Sequence, residues 1–150
     1  MNITTYSDVG MGVVGAAAPG GDYFIATGTV QDAILAAWTS TDDGTFDFYS
    51  ALTQYPGLVV LDHGARYIEI NGTSMAAPHA TGLAALIKEM HPGWGPAAIS
   101  AALQRTASPL ACPADWEPLY PEDLRLRCYG GSGTTSFFGH GLVDAWAASH

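Results

Sequence analysis

Positive charge is scarce in this chain. Five Lys and Arg stand against fourteen Asp and Glu in 150 residues, a net charge of -9 at pH 7. That balance argues against nucleic acid as a partner and reads first as a solubility feature. No run of 18 apolar residues occurs, so no membrane span is expected. Met1 to Asp8 lack both a basic region and an apolar stretch, and they do not read as a secretory signal. Internal repeats and low-complexity linkers are also missing, which leaves residues 1–150 as one expected domain. Only two cysteines are present, Cys112 and Cys128. A proline- and aromatic-rich loop lies between them, with little capacity for regular hydrogen bonding. A disulfide is expected there, and it would imply an oxidising compartment. The alternative is two buried free thiols.

What is present is a chain 48% hydrophobic and 13% charged, able to bury a substantial core. Eighteen glycines and nine prolines argue for many turns rather than a helical bundle. Val13 to Gly21 predicts a short buried strand ending in a Pro-Gly turn. Gln31 to Trp38 is apolar but of uncertain type. Leu58 to Leu61 and Tyr67 to Ile70 are strand candidates. A helix apolar nearly all round follows Ser74, a pattern that predicts burial on every side. Pro78 has no N–H to return to the Ser74 carbonyl, which predicts a loosened first turn. Pro96 opens a second helix that should stop near Thr106. Leu142 to Ser149 reads as a short closing helix.

The stretch with chemical content is Asn71-Gly72-Thr73-Ser74-Met75-Ala76-Ala77-Pro78-His79. It sets a serine at the start of a long helix, directly after a glycine turn. The first N–H groups of a helix are unpaired and carry partial positive charge, so they can hold an anion. A serine there has a nucleophile and part of an oxyanion hole in one turn. Met75, beside it, would make the site polar and crowded if its thioether were exposed and oxidised.

This motif resembles the nucleophile segment of the subtilisin-like serine proteases (subtilases, peptidase family S8). Other segments carry the likeness further. They are Gly82 to Leu86, the break from His91 to Trp94, Thr106-Ala107, Ser7 to Gly10, Ala17 to Gly21 and Gly139 to Ala145. The stretch from about Gly28 to Ala65 and the cysteine loop depart from it. The resemblance implies an α/β fold, a mostly parallel sheet covered by helices. It implies a serine endopeptidase acting on polypeptides through an acyl-enzyme, with a triad in chain order Asp, His, Ser. On that basis Ser74 is the expected nucleophile. The Ser74 N–H and the Thr73 hydroxyl are the expected oxyanion support.

Only 73 residues precede Ser74, and neither an Asp-Ser/Thr-Gly nor a His-Gly-Thr motif occurs among them. Asp62-His63-Gly64-Ala65 follows neither pattern. The chain therefore reads as the C-terminal half of a subtilase catalytic domain, expected to be inactive alone. The missing N-terminal half of the same domain would supply the Asp and His. The competing reading is a non-catalytic binding or complementation half that associates with a separate N-terminal polypeptide. His79 lies five residues after Ser74, about 140° around the helix, and is expected to pack rather than to act as base. His63 is a weak candidate base, His91 a structural residue, and His140 and His150 have no motif support. Asp42, Asp43 and Asp47 around Gly44 read as a solvated surface turn, with calcium binding as the alternative. A secreted or extracytoplasmic location follows from the resemblance and the expected disulfide.

Overall fold

Short apolar runs and a two-residue turn explain the sheet. The computed structural model describes residues 4, 6–21, 33–39, 58–113 and 127–150. In it β1 (Ile34–Ala37), β2 (Val59–Asp62) and β3 (Ala65–Ile70) form a three-stranded sheet in the order β1-β3-β2. β2 and β3 are joined by His63 and Gly64 alone. Both have positive φ, 47° and 85°, as a tight hairpin of the primed type requires. A two-residue link permits only antiparallel pairing. β1 is antiparallel to β3 as well, with Ile34 opposite Ile70 and Ala36 opposite Ile68. Val59 and Ile68, paired across β2 and β3, are both buried.

Helices and sheet together fit the expected α/β class; among the described residues its parallel pairing is one bridge, between Ala17 and Leu142. The strand expected from Val13 to Gly21 is likewise reduced to bridges at Ala16 and Ala17, and Val13 is 80% exposed. Those two alanines pair with the distant Gly139–Leu142 segment. Apolar content alone does not register such a pairing.

Two compact units are present. Gly20–Met75 contains the sheet, and Met1–Pro19 with Ala76–His150 forms the other. Within the second unit, α1 (Thr73–Met90, begun in the first) contributes Leu83 and Ile87 to a core shared with Ala102 of α2 (Pro96–Thr106). Trp94, Ile99, Leu103, Val143 and Ala148 pack around these three. α2 starts with proline at its first position and ends at Thr106, as the sequence predicts. Lys88 Nζ donates to the carbonyls of Pro92 (2.6 Å) and Trp94 (2.8 Å), and His91 stacks on Trp94. This cation ties the loop that follows α1 back to the helix's last turn. α1 is not buried on every side: only Leu83 and Ile87 are, while Leu86 and Met90 are 49% and 40% exposed. Its core contacts come from α2 and the Val143–Ala148 region, which lie along one stripe.

A second core holds Phe137 and Phe138 in edge-to-face contact, with Val9, Ala17, Leu110 and Cys128 against them. Cys128 is joined to Cys112 by a disulfide, with Cα atoms 5.6 Å apart. The chain then enters a backbone junction. Ala17 N–H donates to the Gly141 carbonyl and Val143 N–H to the Ala17 carbonyl. Ser108 and Leu142 exchange both of their bonds, at 2.8 and 2.9 Å. Gly139 and Gly141 make this crossing possible. A Cβ on Gly141 would stand 2.1 Å from the Ser108 carbonyl oxygen, and one on Gly139 2.4 Å from that of Val14. The closing helix, α3 (Ala145–Ala148), is shorter than Leu142–Ser149 because Leu142 and Val143 are spent on this junction. Asp144 caps it: one carboxylate oxygen accepts from Ala147 N–H and the other from the Ser108 hydroxyl.

Candidate active site at the start of the long helix

β3 delivers the chain to the serine turn. After Ile70, Asn71 and Gly72 reverse the direction, and α1 begins at Thr73. Gly72 has φ 153°, which a side chain would disfavour. Its N–H donates to the Gly20 carbonyl at 2.9 Å, and its carbonyl accepts from Met75 N–H at 3.0 Å. Gly20 belongs to the Pro19-Gly20-Gly21 turn. That turn is pressed against the start of β1: a Cβ on Gly21, at φ 77°, would lie 2.9 Å from the Ala33 backbone. The serine turn thus hangs from the glycine turn by a main-chain bond.

Ser74 is the second residue of α1, and both it and Thr73 are exposed. Among the described residues its hydroxyl makes no side-chain hydrogen bond. α1 runs from Thr73 to Met90 through Pro78, so the Ser74 carbonyl lies in the helix without the N–H that another residue at 78 would bring. The nucleophile and the first N–H groups of the helix therefore share one accessible turn.

His79 is exposed on α1, and the helical step carries it to the opposite side from Ser74. His63 occupies the β2–β3 turn, almost fully exposed, with Nδ1 bonded to the Asp62 carboxylate. β3 has six residues and rises about 3.4 Å per residue, which puts about 17 Å of strand between that turn and Ile70. His63 sits at one end of β3 and Ser74 beyond the other. His140 donates its backbone N–H to Gly15 in the junction, and His150 stacks on Trp146. Asp42, Asp43 and Asp47 lie outside the described residues. Among those described, no cluster of His, Cys, Asp or Glu could hold a metal ion, and no helix is long and apolar enough to cross a membrane.

Two features near the site are invisible as motifs. One is the Gly20 carbonyl that anchors Gly72. The other is Glu69, whose Oε2 is buried with no hydrogen-bond partner among the described residues. The alternation around Tyr67 to Ile70 assigns Glu69 to one face of β3 but gives no hint of its burial.

Comparison with known proteins gives the family in which this serine turn stands. The chain belongs to the subtilase family, whose pattern matches residues 2–141. It is similar to subtilisin-like protease SBT1.9 of Arabidopsis thaliana, 43% identical over 89 residues, 59% of this chain and 10% of that protein. It is also similar to the CO(2)-response secreted protease of Arabidopsis thaliana, 44% identical over 75 residues, 50% of this chain and 8% of that protein. Subtilisin-like protease SBT3 of Solanum lycopersicum is 59% identical over 44 residues, 29% of this chain and 6% of that protein. The chain thus spans a tenth or less of the length of these relatives. The solved structure of a lanthipeptide protease shares the fold, with a TM-score of 0.52 at 24% identity over 87% of this chain and 32% of that one.

Proposed function

We propose that residues 1–150 are the C-terminal portion of one subtilase peptidase domain and carry the nucleophile of a serine endopeptidase. The observation that carries this reading is the exposed Ser74 hydroxyl at the head of α1, beside the helix's first N–H groups. In the reaction Ser74 Oγ adds to the scissile carbonyl carbon as its proton passes to a general base. The oxyanion takes hydrogen bonds from the Ser74 N–H and the Thr73 hydroxyl. Collapse expels the amine, which takes up the proton, and leaves an acyl-Ser74 that water hydrolyses. The base and its orienting carboxylate come from a polypeptide carrying the family's Asp and His segments. The substrate is a polypeptide. The setting is secreted or extracytoplasmic, in keeping with the Cys112–Cys128 disulfide and the secreted relative.

Without a base the catalytic groups do not act as a unit. A fluorophosphonate probe should leave the isolated chain unlabelled. It should label Ser74 once a polypeptide bearing those segments is added, and Ser74→Ala should remove that label. Labelling of the isolated chain at the rate of a whole protease would defeat the inactivity claim.

The second reading, a complementation half without chemistry of its own, is favoured by the uncovered apolar side of α1 at Leu86 and Met90. Sedimentation with the added polypeptide tests association, and the fluorophosphonate label separates the two: association that leaves Ser74 unlabelled favours this second reading. A stable monomer that ignores the added polypeptide would remove the complementation reading.

A further inference from the structure

Glu69 stands on β3 five residues before Ser74 and directly opposite Leu35 of β1. Among the described residues its Oε2 is enclosed without a donor, a state that is unfavourable for a carboxylate oxygen unless a partner arrives. The chain offers none from its own strand. Arg66, the nearest base in sequence, is three positions away, so the pleat sends it to the other face. Beside the carboxylate, Leu35 leaves 54% of its surface open. An exposed aliphatic side chain next to an unpaired carboxylate suits the stem and head of a lysine or arginine, which bury their methylenes and direct the charge onward. The excess of fourteen acidic over five basic residues favours a basic visitor in the same sense.

We propose that Glu69 and Leu35 form a subsite for a basic side chain of the bound polypeptide, and so set a preference for lysine or arginine near the cleaved bond. This rests on the reading of Ser74 as the nucleophile. Five extended residues reach at most about 17 Å, so the basic residue falls within about five positions of the bond presented to Ser74. Glu69 is here a specificity residue and takes no part in proton transfer.

The test reads binding rather than turnover. Fluorescent octapeptides that differ only by lysine or norleucine at one position are titrated against the full chain. Norleucine keeps the stem and removes the charge. Lysine should bind about tenfold tighter at the matching position, the usual scale for a charge-assisted bond. Glu69→Gln, of equal shape, should reduce that ratio to below about twofold while melting at no lower temperature, since an orphan charge is removed. Ser74→Ala should keep the full ratio. A lysine preference that survives in Glu69→Gln overturns the proposal. So does the absence of any preference, or of any peptide binding, in the unaltered chain. Failure of the nucleophile reading would look different: the lysine ratio would stand while Ser74 stayed unlabelled in the reconstituted complex.

Discussion

Gly141 offers the sharpest test of how the C-terminal segment is held. Replacing it by alanine places a methyl 2.1 Å from the Ser108 carbonyl oxygen, 2.6 Å from its carbon and 2.9 Å from Pro109 Cα. All three are backbone atoms, so no side chain can rotate out of the way. The backbone at 141 also has φ 126°, a region that resists a Cβ by about 1 kcal/mol or more. To admit the methyl, the segment must leave Ser108. That breaks the two bonds exchanged by Ser108 and Leu142 and the one from Ala17 N–H to Gly141. At about 1 kcal/mol each, with the backbone term, the loss is about 4 kcal/mol. A domain of this size has a stability of about 5–15 kcal/mol, so Gly141→Ala should be near the edge of folding. Gly131→Ala is the control, since a Cβ there meets nothing within 4 Å. It should change stability by less than about 0.5 kcal/mol. Urea unfolding followed by circular dichroism gives both values. Equal midpoints for the two variants would refute the junction as drawn.

Other outcomes follow from the same geometry. Reducing the Cys112–Cys128 bond, which spans 16 positions, should lower unfolding free energy by about 3 kcal/mol, read as a melting shift with and without reductant. Ile87→Ala should lose about 2–4 kcal/mol because Ile87 is 1% exposed, whereas Leu86→Glu should leave the isolated chain within about 0.5 kcal/mol and weaken association with an added N-terminal polypeptide. The Ala147 N–H, and then the Ser108 hydroxyl, hold the Asp144 carboxyl below its usual range. Its contribution is therefore present above the ordinary aspartate pKa of about 3.9 and lost as pH falls through the lowered value. The melting gap between wild type and Asp144→Asn should be flat from neutral pH to about 5 and close at lower pH.

Local signals made much of this legible. Pro96 and the small apolar residues after it marked α2 at both ends. The apolar runs at Leu58–Leu61 and Tyr67–Ile70 gave β2 and β3. The Asn71–His79 motif located the serine turn. What stayed hidden depends on partners far along the chain. Ala16 and Ala17 look like a strand core, yet their bridges run to residues more than a hundred positions away, and no periodicity records that. The all-round apolar pattern of α1 describes the surroundings the helix is suited to, while its actual burial follows the one stripe that α2 and Val143–Ala148 supply. Glu69 was unreadable for the opposite reason: alternation assigns a face but not a vacancy for a charge.

The bond from Gly72 N–H to the Gly20 carbonyl has a consequence for how this turn can change. Both atoms are main chain, so no exchange of side chain removes either one. The attachment should be indifferent to identity at most neighbouring positions and intolerant of altered spacing. A residue inserted between Pro19 and Gly21, or between Ile70 and Thr73, would shift one atom out of register by a residue's length. The Ser74 turn is accordingly protected against substitution and vulnerable to insertion.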